Sequence, residues 1–239
     1  MTNIIPYLRD LVIANRILAH EGVVDAFGHI SVRHPEKPDR FFLSRSRSPE
    51  LVSLDDILEF GLDGEPIDAH GPACYAERYI HAAIFEARPD VQSVVHNHAY
   101  ELIPFGVTGV PLRPVFHTAA RIGAEIPIWD IREKFGDTNL LVVNIEQGRD
   151  LAKAFGDRQL VLMRGHGCAI GTSNLQSAVT TSIYAQVNAR LQMQAMQLGD
   201  VTYLSPGEIA SMTQTERGTT LGRDRSWEYL RRRAGCEGM

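Results

Sequence analysis

A β-branched run that ends in two histidines, Val94-Val95-His96-Asn97-His98, most constrains how this chain can fold. β-Branched residues favour extended backbone, and a short apolar run is typical of a buried strand. We therefore predict a strand over residues 92–96. Because side chains alternate between the two faces of a strand, His96 and His98 point the same way. Two interpretations follow: the imidazoles share a divalent metal, or each is a separately satisfied polar residue where the chain leaves the sheet.

Helical and extended patterns alternate on both sides of this strand. Apolar spacing and caps predict helices over residues 6–21, 77–86 and 175–198, the last capped by Ser173 or Asn174. Further strands are predicted over residues 29–33, 41–44, 57–61, 158–163 and 168–171. Prolines and glycines in residues 104–140 indicate irregular connections and short strands. We expect an α/β (α+β) fold with helices packed around a mixed or antiparallel sheet.

The domain organisation follows from an even composition. We find no repeat, low-complexity linker or change in composition, which predicts one domain over residues 1–239. The polar segment 206–239 ends in Arg231-Arg232-Arg233. We expect this C-terminal extension to be mobile or to pack on a neighbouring subunit.

Charge and composition argue against several classes of partner. The net charge of -5 gives no general attraction for nucleic acid or for an anionic membrane surface. No apolar stretch approaches the roughly 20 residues of a membrane span, and the N-terminus lacks a signal-peptide pattern. The 3 cysteines include no C-x-x-C pair, which suits a reducing compartment. We expect a cytoplasmic protein whose partner is a small molecule.

Other metal-binding residue types stand near the histidine pair in the predicted fold. Glu77 lies on the helix before the strand, with His81 one helical turn further along the same face. His166, flanked by glycines, lies where one predicted strand ends and another begins. Three imidazoles and one carboxylate are a common ligand set for Zn²⁺, Mn²⁺ or Fe²⁺. The carboxylate would either bind the metal or exchange protons.

These segments in their order resemble the class II aldolase/adducin-like family, over about residues 8 to 200. The resemblance rests on Gly28-His29-Ile30-Ser31, Glu77, Pro89-Asp90, Val94-Val95-His96-Asn97-His98-Ala99 and His166-Gly167. It implies a three-layer αβα fold around a mainly antiparallel central sheet, and a homotetramer with sites at subunit interfaces. It also implies that His96, His98 and His166 bind a metal, with Glu77 as a ligand or acid/base group. Adducin, a cytoskeletal member, shows that the fold also serves non-catalytic modules.

The sequence departs from the family's sugar-phosphate enzymes where those hold phosphate. The sugar-phosphate members that this chain resembles have a Gly-Asn near the first strand, a Ser/Thr-Gly turn after the second strand, and a Ser-Ser directly before the glutamate. The corresponding segments here are Gly28-His29, Leu43-Ser44-Arg45-Ser46-Arg47-Ser48-Pro49 and Tyr75-Ala76. A phosphate site needs several converging N–H and hydroxyl donors, with glycine permitting close approach. We therefore expect the phosphate site to be lost.

The residues that replace the phosphate site suit a planar acidic substrate. Arg45 and Arg47, with Ser46 between them, offer forked donors for a carboxylate. Tyr75 adds a flat face and a hydroxyl, and His29 adds a titratable donor. The alternative for the arginines is a solvated surface loop.

The chemistry expected of such a site is cleavage of a carbon–carbon bond. Retro-aldol cleavage and decarboxylation both leave negative charge that a metal stabilises. The pattern also resembles family members that decarboxylate hydroxylated aromatic or heteroaromatic dicarboxylates, such as dihydroxyphthalate or hydroxymethylpyridine-dicarboxylate. We predict a metal-dependent decarboxylase that uses Zn²⁺ or Mn²⁺, with Fe²⁺ or Co²⁺ as alternatives. Competing interpretations are an aldolase acting on a small hydroxy-keto acid or a sugar (phosphate), a non-catalytic adducin-like module, and an iron oxygenase.

Three residues are candidates for proton transfer in this reaction. Glu77 is the first candidate, provided that it is not locked as a ligand. His29 and His117 are second candidates. His117 lies in the irregular region that could line the cleft or reach an adjacent subunit, and a structural role for it is equally open.

Overall fold

The protein is described here by a computed structural model that covers residues 4–218 and 220–239. The helices of these ranges are α1 (Ile5–His20), α2 (Arg78–Ala87), α3 (Ile103–Val107), α4 (Arg132–Phe135), α5 (Ile145–Phe155), α6 (Leu175–Leu198), α7 (Pro206–Gly218) and α8 (Leu221–Arg233). The strands are β1 (His29–Arg33), β2 (Arg40–Ser44), β3 (Ile57–Gly61), β4 (Ser93–Asn97), β5 (Ile128–Trp129), β6 (Leu160–Met163) and β7 (Gly167–Thr172). Short 3₁₀ turns cover Pro49–Leu51, Leu54–Asp56 and His117–Ile122.

The strands form one mixed sheet in the order β3-β2-β1-β4-β7-β6-β5. Neighbouring strands are antiparallel except for β5 and β6, which are parallel. β4 lies at the centre, where His96 is opposite His29 of β1 and Ala169 of β7. The histidine pair therefore stands at the end of a strand that has neighbours on both sides.

Each face of the sheet is covered by helices. Val95 belongs to a core that includes apolar side chains of α1, α6 and α8, whereas Val94 belongs to a second core with α2 and α5. The alternation of these neighbours between two cores follows from the two-residue period of a strand. The predicted three-layer fold around a mainly antiparallel sheet is confirmed.

The predicted elements agree with the structure except at a few places. All the predicted strands form, with ends shifted by at most two residues, and Asn174 caps α6 by accepting a hydrogen bond from Ser177 N. The second helix, however, begins at Arg78, so Glu77 precedes it instead of lying on it. The helix α5 was not predicted, although Asn144 caps it in the usual way by accepting from Gln147 N.

The C-terminal extension forms α7 and α8, and α8 packs on the body of its own subunit. Trp227 and Leu230 of α8, together with Cys236, are buried in the core beside α1 and α6. Docking of the extension on a neighbouring subunit, like the single-domain organisation, stays a prediction. Among the described helices, none has the length and apolar character that crossing a bilayer would require.

Candidate metal centre and active site

Four side chains converge at one end of the sheet. The ligating atoms of Glu77, His96, His98 and His166 all lie within 4.8 Å of one another. His98 Nε2 is 3.0 Å from His96 Nε2 and 3.1 Å from His166 Nε2. Glu77 Oε2 is 3.3 Å from His96 Nε2 and 3.5 Å from His166 Nε2. The structure thus brings together all four residues predicted to hold a metal.

Each of these side chains comes from a different local setting. His96 is in β4 and His98 directly follows it, while His166 lies in the tight turn between β6 and β7. Gly167 begins β7 so close to β4 that an added Cβ would lie 2.1 Å from Asn97 O. Only glycine therefore lets the two strands approach here, and this approach places His166 beside His98.

Hydrogen bonds donated to backbone carbonyls fix the orientation of two of the rings. His96 Nδ1 donates to Cys168 O at 3.0 Å, and His166 Nδ1 donates to Leu140 O at 2.9 Å. In the form of these rings that binds a metal, which carries one N–H, Nε2 of both rings presents a lone pair to the cluster. Such hydrogen bonds are the usual support of metal-binding histidines.

The residues 138–142 supply two of the backbone groups that support the site. Leu140 has φ +67°, and within the described ranges it is the only non-glycine residue with positive φ. This unfavourable conformation presents the Leu140 carbonyl to His166. Two residues later, Val142 N donates to Glu77 Oε1 at 3.1 Å. No side-chain pattern indicates the position of such backbone groups, so they could not be predicted from the sequence.

The charges of the site suit a cation. Burial alone would raise the pKa of Glu77, but His96, His166 and the hydrogen bonds that the carboxylate accepts hold that pKa well below its usual range. Burial, together with repulsion from His96 and His166, lowers the pKa of His98 to about 4. The cluster at neutral pH therefore contains an ionised carboxylate and a neutral His98, both suited to bind a metal.

The donor set fits a divalent ion in chemistry and in spacing. Protein donors bind such an ion at about 2.0–2.2 Å. Neighbouring donors of the cluster lie 3.0, 3.1, 3.3 and 3.5 Å apart, and all four lie within 4.8 Å of one another, so that one ion can lie among them. Three imidazole nitrogens and one carboxylate oxygen match Zn²⁺, Mn²⁺, Fe²⁺ or Co²⁺ better than Mg²⁺ or Ca²⁺.

His29 lies beside this cluster and contacts a second buried histidine. Its ring centroid is 5.2 Å from that of His96 and 4.4 Å from that of Tyr75. His29 Nδ1 lies 2.6 Å from His81 Nε2, and His81 Nδ1 lies 2.6 Å from Ser31 Oγ. Burial, followed by repulsion from His81 and His96, lowers the pKa of His29 well below its usual value. Both the position of His29 and its neutral state therefore suit an active-site group.

The position of His81 corrects one expectation. Its spacing from Glu77 predicted that the two side chains share a helix face, yet His81 contacts His29 and Ser31 instead of the metal cluster. The reason is that Glu77 precedes α2, so the helical spacing does not apply to it. Burial lowers the pKa of His81 to about 3.

Arg45 and Arg47 already have an anionic partner in the subunit. Arg45 Nε lies 2.6 Å from Asp56 Oδ1, and Arg47 Nη1 lies 3.3 Å from the same oxygen. Burial alone would raise the pKa of Asp56, but Ser53 and the two arginines lower it to about 2. Ser46 between the arginines is exposed. Asp56 is not part of a recognisable sequence motif, and its pairing with the two arginines was not predicted from the sequence.

Tyr75 connects the segment that carries the arginines to His29. Its hydroxyl accepts a hydrogen bond from Ser44 Oγ at 3.2 Å and donates to the backbone carbonyl of Arg47. The phenolic hydroxyl is therefore engaged by the protein, while the ring packs on His29. Tyr75 can offer its flat face to a ligand but not an unpaired hydroxyl.

His117 lies elsewhere in the subunit. It lines an open cavity of about 400 Å³ with Leu204 and with Gly207, Glu208, Ser211 and Met212 of α7, and no metal-cluster residue lines this cavity. His117 is therefore not part of the metal centre of its own subunit, because the 3₁₀ turn that carries it packs on α7. A role in the cleft of an adjacent subunit stays a prediction.

Known proteins share this fold and much of this sequence. The decarboxylase tropJ of Talaromyces stipitatus is 38% identical over 256 residues, which cover 97% of this chain and 95% of the relative. The 3,4-dihydroxyphthalate decarboxylase of Arthrobacter keyseri is 29% identical and covers 79% of this chain and 78% of its own. These relatives are enzymes, and the prediction that the chain is an enzyme of the lyase type is confirmed.

Solved structures agree in fold. The L-fuculose 1-phosphate aldolase of Glaciozyma antarctica superposes with a TM-score of 0.75 at 22% identity and covers 96% of this chain and 90% of its own. An aldolase II superfamily protein of Pseudomonas syringae gives 0.79 at 20% identity, with 100% and 96% covered. The family model described as Class II Aldolase and Adducin N-terminal domain matches residues 9–193. The chain therefore belongs to the class II aldolase and adducin family.

Proposed function

We propose that the protein is a divalent-metal-dependent lyase that decarboxylates a hydroxylated aromatic or heteroaromatic dicarboxylate. One observation carries the proposal: the four-residue metal cluster is bordered by the ring of His29, and the ring of Tyr75 packs on His29. The small donors that hold phosphate in the sugar-phosphate enzymes are missing at those positions. The relatives named as decarboxylases support the same conclusion.

His96, His98, His166 and Glu77 would hold the metal. A bound divalent ion supplies a Lewis acid that stabilises negative charge on substrate oxygens while carbon dioxide leaves. Zn²⁺ and Mn²⁺ are the ions we propose first, with Fe²⁺ and Co²⁺ as alternatives that the same ligands accept. The hydrogen bonds to Cys168 O and Leu140 O orient two of these rings.

Arg45 and Arg47 are the groups we propose for the second carboxylate of the substrate. Two guanidinium groups share the single carboxylate of Asp56, so one positive charge is left over. Each guanidinium also has N–H groups beyond the one that contacts Asp56. Ser46 is exposed between them and can add a hydroxyl donor. A diacid would therefore meet the metal at one end and residual positive charge at the other.

Loss of carbon dioxide leaves an electron pair on a ring carbon, which must take up a proton. Glu77 and His29 are the titratable groups beside the centre, and Glu77 is the one we propose first for this proton transfer. Oε2 of Glu77 faces the histidines, while Oε1 is held by Val142 N. This arrangement favours Glu77 as a ligand, and it leaves Glu77 as a proton carrier only if Oε2 is free during turnover.

A homotetramer with sites at subunit interfaces is part of the proposal. Exposed apolar side chains surround the metal centre: Tyr100 lines a small cavity with His98, and Val143 follows Val142. Tyr100 is 71% exposed and Val143 is 42% exposed. A second copy of the chain would cover such a surface. We also propose a cytoplasmic location, since the three cysteines are free.

The experiment compares two substrate classes on metal-loaded enzyme, with His96→Ala as the inactive control. We expect release of carbon dioxide from dihydroxyphthalate and no aldehyde from fuculose phosphate. Efficient cleavage of fuculose phosphate would contradict the proposal and favour the aldolase alternative. Because one relative, from Streptomyces roseochromogenus, is named an oxygenase, the assay is repeated without O₂. A requirement for O₂ would identify oxygenase chemistry instead.

A further inference from the structure

A buried chain of three polar side chains leads from the sheet to the edge of the metal centre. Ser31 of β1 contacts His81 of α2, and His81 contacts His29 at the start of β1. Ser31 and His81 are fully buried, and His29 is only 3% exposed. Since water cannot satisfy groups at this depth, their protons must be shared among themselves.

The two contacts of the Ser31 hydroxyl favour one direction for these hydrogen bonds. Ser31 Oγ lies 2.6 Å from His81 Nδ1 but 3.5 Å from Val94 O, which is at the limit of a hydrogen bond. We assign the single hydroxyl proton to His81 Nδ1, because the contact of Ser31 Oγ with Val94 O is much the longer of the two. A neutral His81 must then carry its own proton on Nε2, which donates to His29 Nδ1 at 2.6 Å.

The same reasoning fixes the state of His29. Because its Nδ1 accepts a hydrogen bond, its one proton is on Nε2. Among the described residues, the hydrogen bond of the His29 ring is made by Nδ1, and the ring keeps 3% exposure. The ring lies between Tyr75 and His96, next to the metal cluster.

We propose that Ser31 and His81 are positioning residues that hold His29 as the Nε2–H tautomer, so that His29 offers a neutral hydrogen-bond donor to a substrate oxygen. The role toward substrate rests on the proposed function, whereas the tautomer does not. A fixed donor stabilises charge that develops on oxygen during the reaction without giving up its proton. A neutral imidazole that lost this proton would become an anion, so His29 serves as a donor and not as the acid that protonates the ring carbon.

The tautomer is tested on zinc-loaded protein with ¹⁵N-labelled histidine, by NMR of the imidazole nitrogens. We expect the His29 proton on Nε2 in the wild type, and a mixture of both tautomers in Ser31→Ala. The matched control is Ser93→Ala, because Ser93 is an equally buried strand serine whose hydroxyl donates to Ser31 O and not to a histidine. That variant should keep the wild-type tautomer. A proton on His29 Nδ1 in the wild type would overturn the proposal.

The kinetic consequence is tested with the same variants at full metal occupancy. Ser31→Ala should lower kcat by about tenfold and change KM by less than about twofold, because a transition-state contact is weakened. His81→Gln keeps an amide N–H that can reach His29, so it should retain more activity than His81→Leu. A shifted tautomer with unchanged kcat would contradict the positioning role. If the wild type shows the expected tautomer but decarboxylates no aromatic diacid, the result contradicts the proposed function and leaves the tautomer proposal standing.

Discussion

The metal centre and the arginine segment, Arg45 to Arg47, differ in whether the protein satisfies its own charges. In the centre, the Nε2 lone pairs of His96 and His166 and the carboxylate of Glu77 face one another. In the arginine segment, both cations already face Asp56. Converging acceptors need a cation from outside, whereas an ion pair does not need a ligand. The metal is therefore the stronger of the two binding proposals, and the predictions below test that ranking.

The largest effect is expected from removing one ligand of the centre. His96→Ala should lose stoichiometric metal and lower turnover by about a thousandfold, since Lewis-acid stabilisation is worth several kcal/mol. Metal analysis and carbon dioxide release measure the two effects, with circular dichroism to check folding. The matched control is His70→Ala, because His70 is exposed and outside the cluster. Full metal content in His96→Ala would refute the centre.

Glu77→Gln distinguishes a ligand from a proton carrier. The glutamine carbonyl can still accept from Val142 N, but it removes the charge that faces His96 and His166. We expect metal affinity to fall by at least about tenfold, together with turnover. Competition with a chelator measures the affinity. Unchanged affinity with lost turnover would show that Glu77 mainly carries protons.

A smaller effect is expected from the arginines. Arg47→Ala should raise KM about tenfold for a diacid and less than about twofold for a monoacid analogue, as one charge-assisted hydrogen bond is lost. Arg45→Ala should have the weaker effect on KM, because Arg45 is closer to Asp56, at 2.6 Å against 3.3 Å for Arg47. Steady-state kinetics with both substrates provides the test. Equal effects on diacid and monoacid would leave the arginines with a purely structural role.

The smallest effect concerns the ion pair itself and has a defined pH dependence. The pKa of Asp56 is about 2 in the folded protein, against an ordinary value of 3.8, so its ionised form stabilises the fold. Asp56→Asn should lower the free energy of unfolding at pH 7 by about 1 kcal/mol, since partly exposed arginines are screened by solvent. The stabilisation is present above about pH 4 and is lost as the pH falls toward 2. Urea unfolding of the wild type and of Asp56→Asn should show that the difference in their free energies of unfolding becomes smaller as the pH falls from about 4 toward 2. A difference that stays constant with pH would contradict this prediction.

Local patterns predicted most of the fold and the metal residues. The strands β1, β3 and β4 follow from β-branched and apolar runs, and the cluster follows from residue types that bind metals. The C-terminal extension was harder, because a polar segment folds onto the subunit through only a few buried side chains, such as Trp227 and Leu230. Polarity averaged over the segment hides those contacts.

The details of the site depend on contacts between distant segments and were not predictable from one sequence. Asp56 neutralises the arginines only because two segments meet, and His81 reaches His29 only because α2 crosses the sheet. The groups that orient His166 and Glu77 are a carbonyl and an amide of the backbone, which every residue possesses. The residue types thus predicted the metal ligands, but not the backbone groups that orient those ligands.

The close approach of β4 and β7 at Gly167 links the positions of the two segments that carry His98 and His166. A methyl group at this position would collide with Asn97 O and would also lie 3.1 Å from His98 Cα. A side chain there would force β4 and β7 apart and move His98 and His166, which flank this junction. The metal centre is therefore sensitive to substitution at a residue that is not one of its proposed ligands. The spacing between the imidazoles depends on the absence of a side chain at position 167.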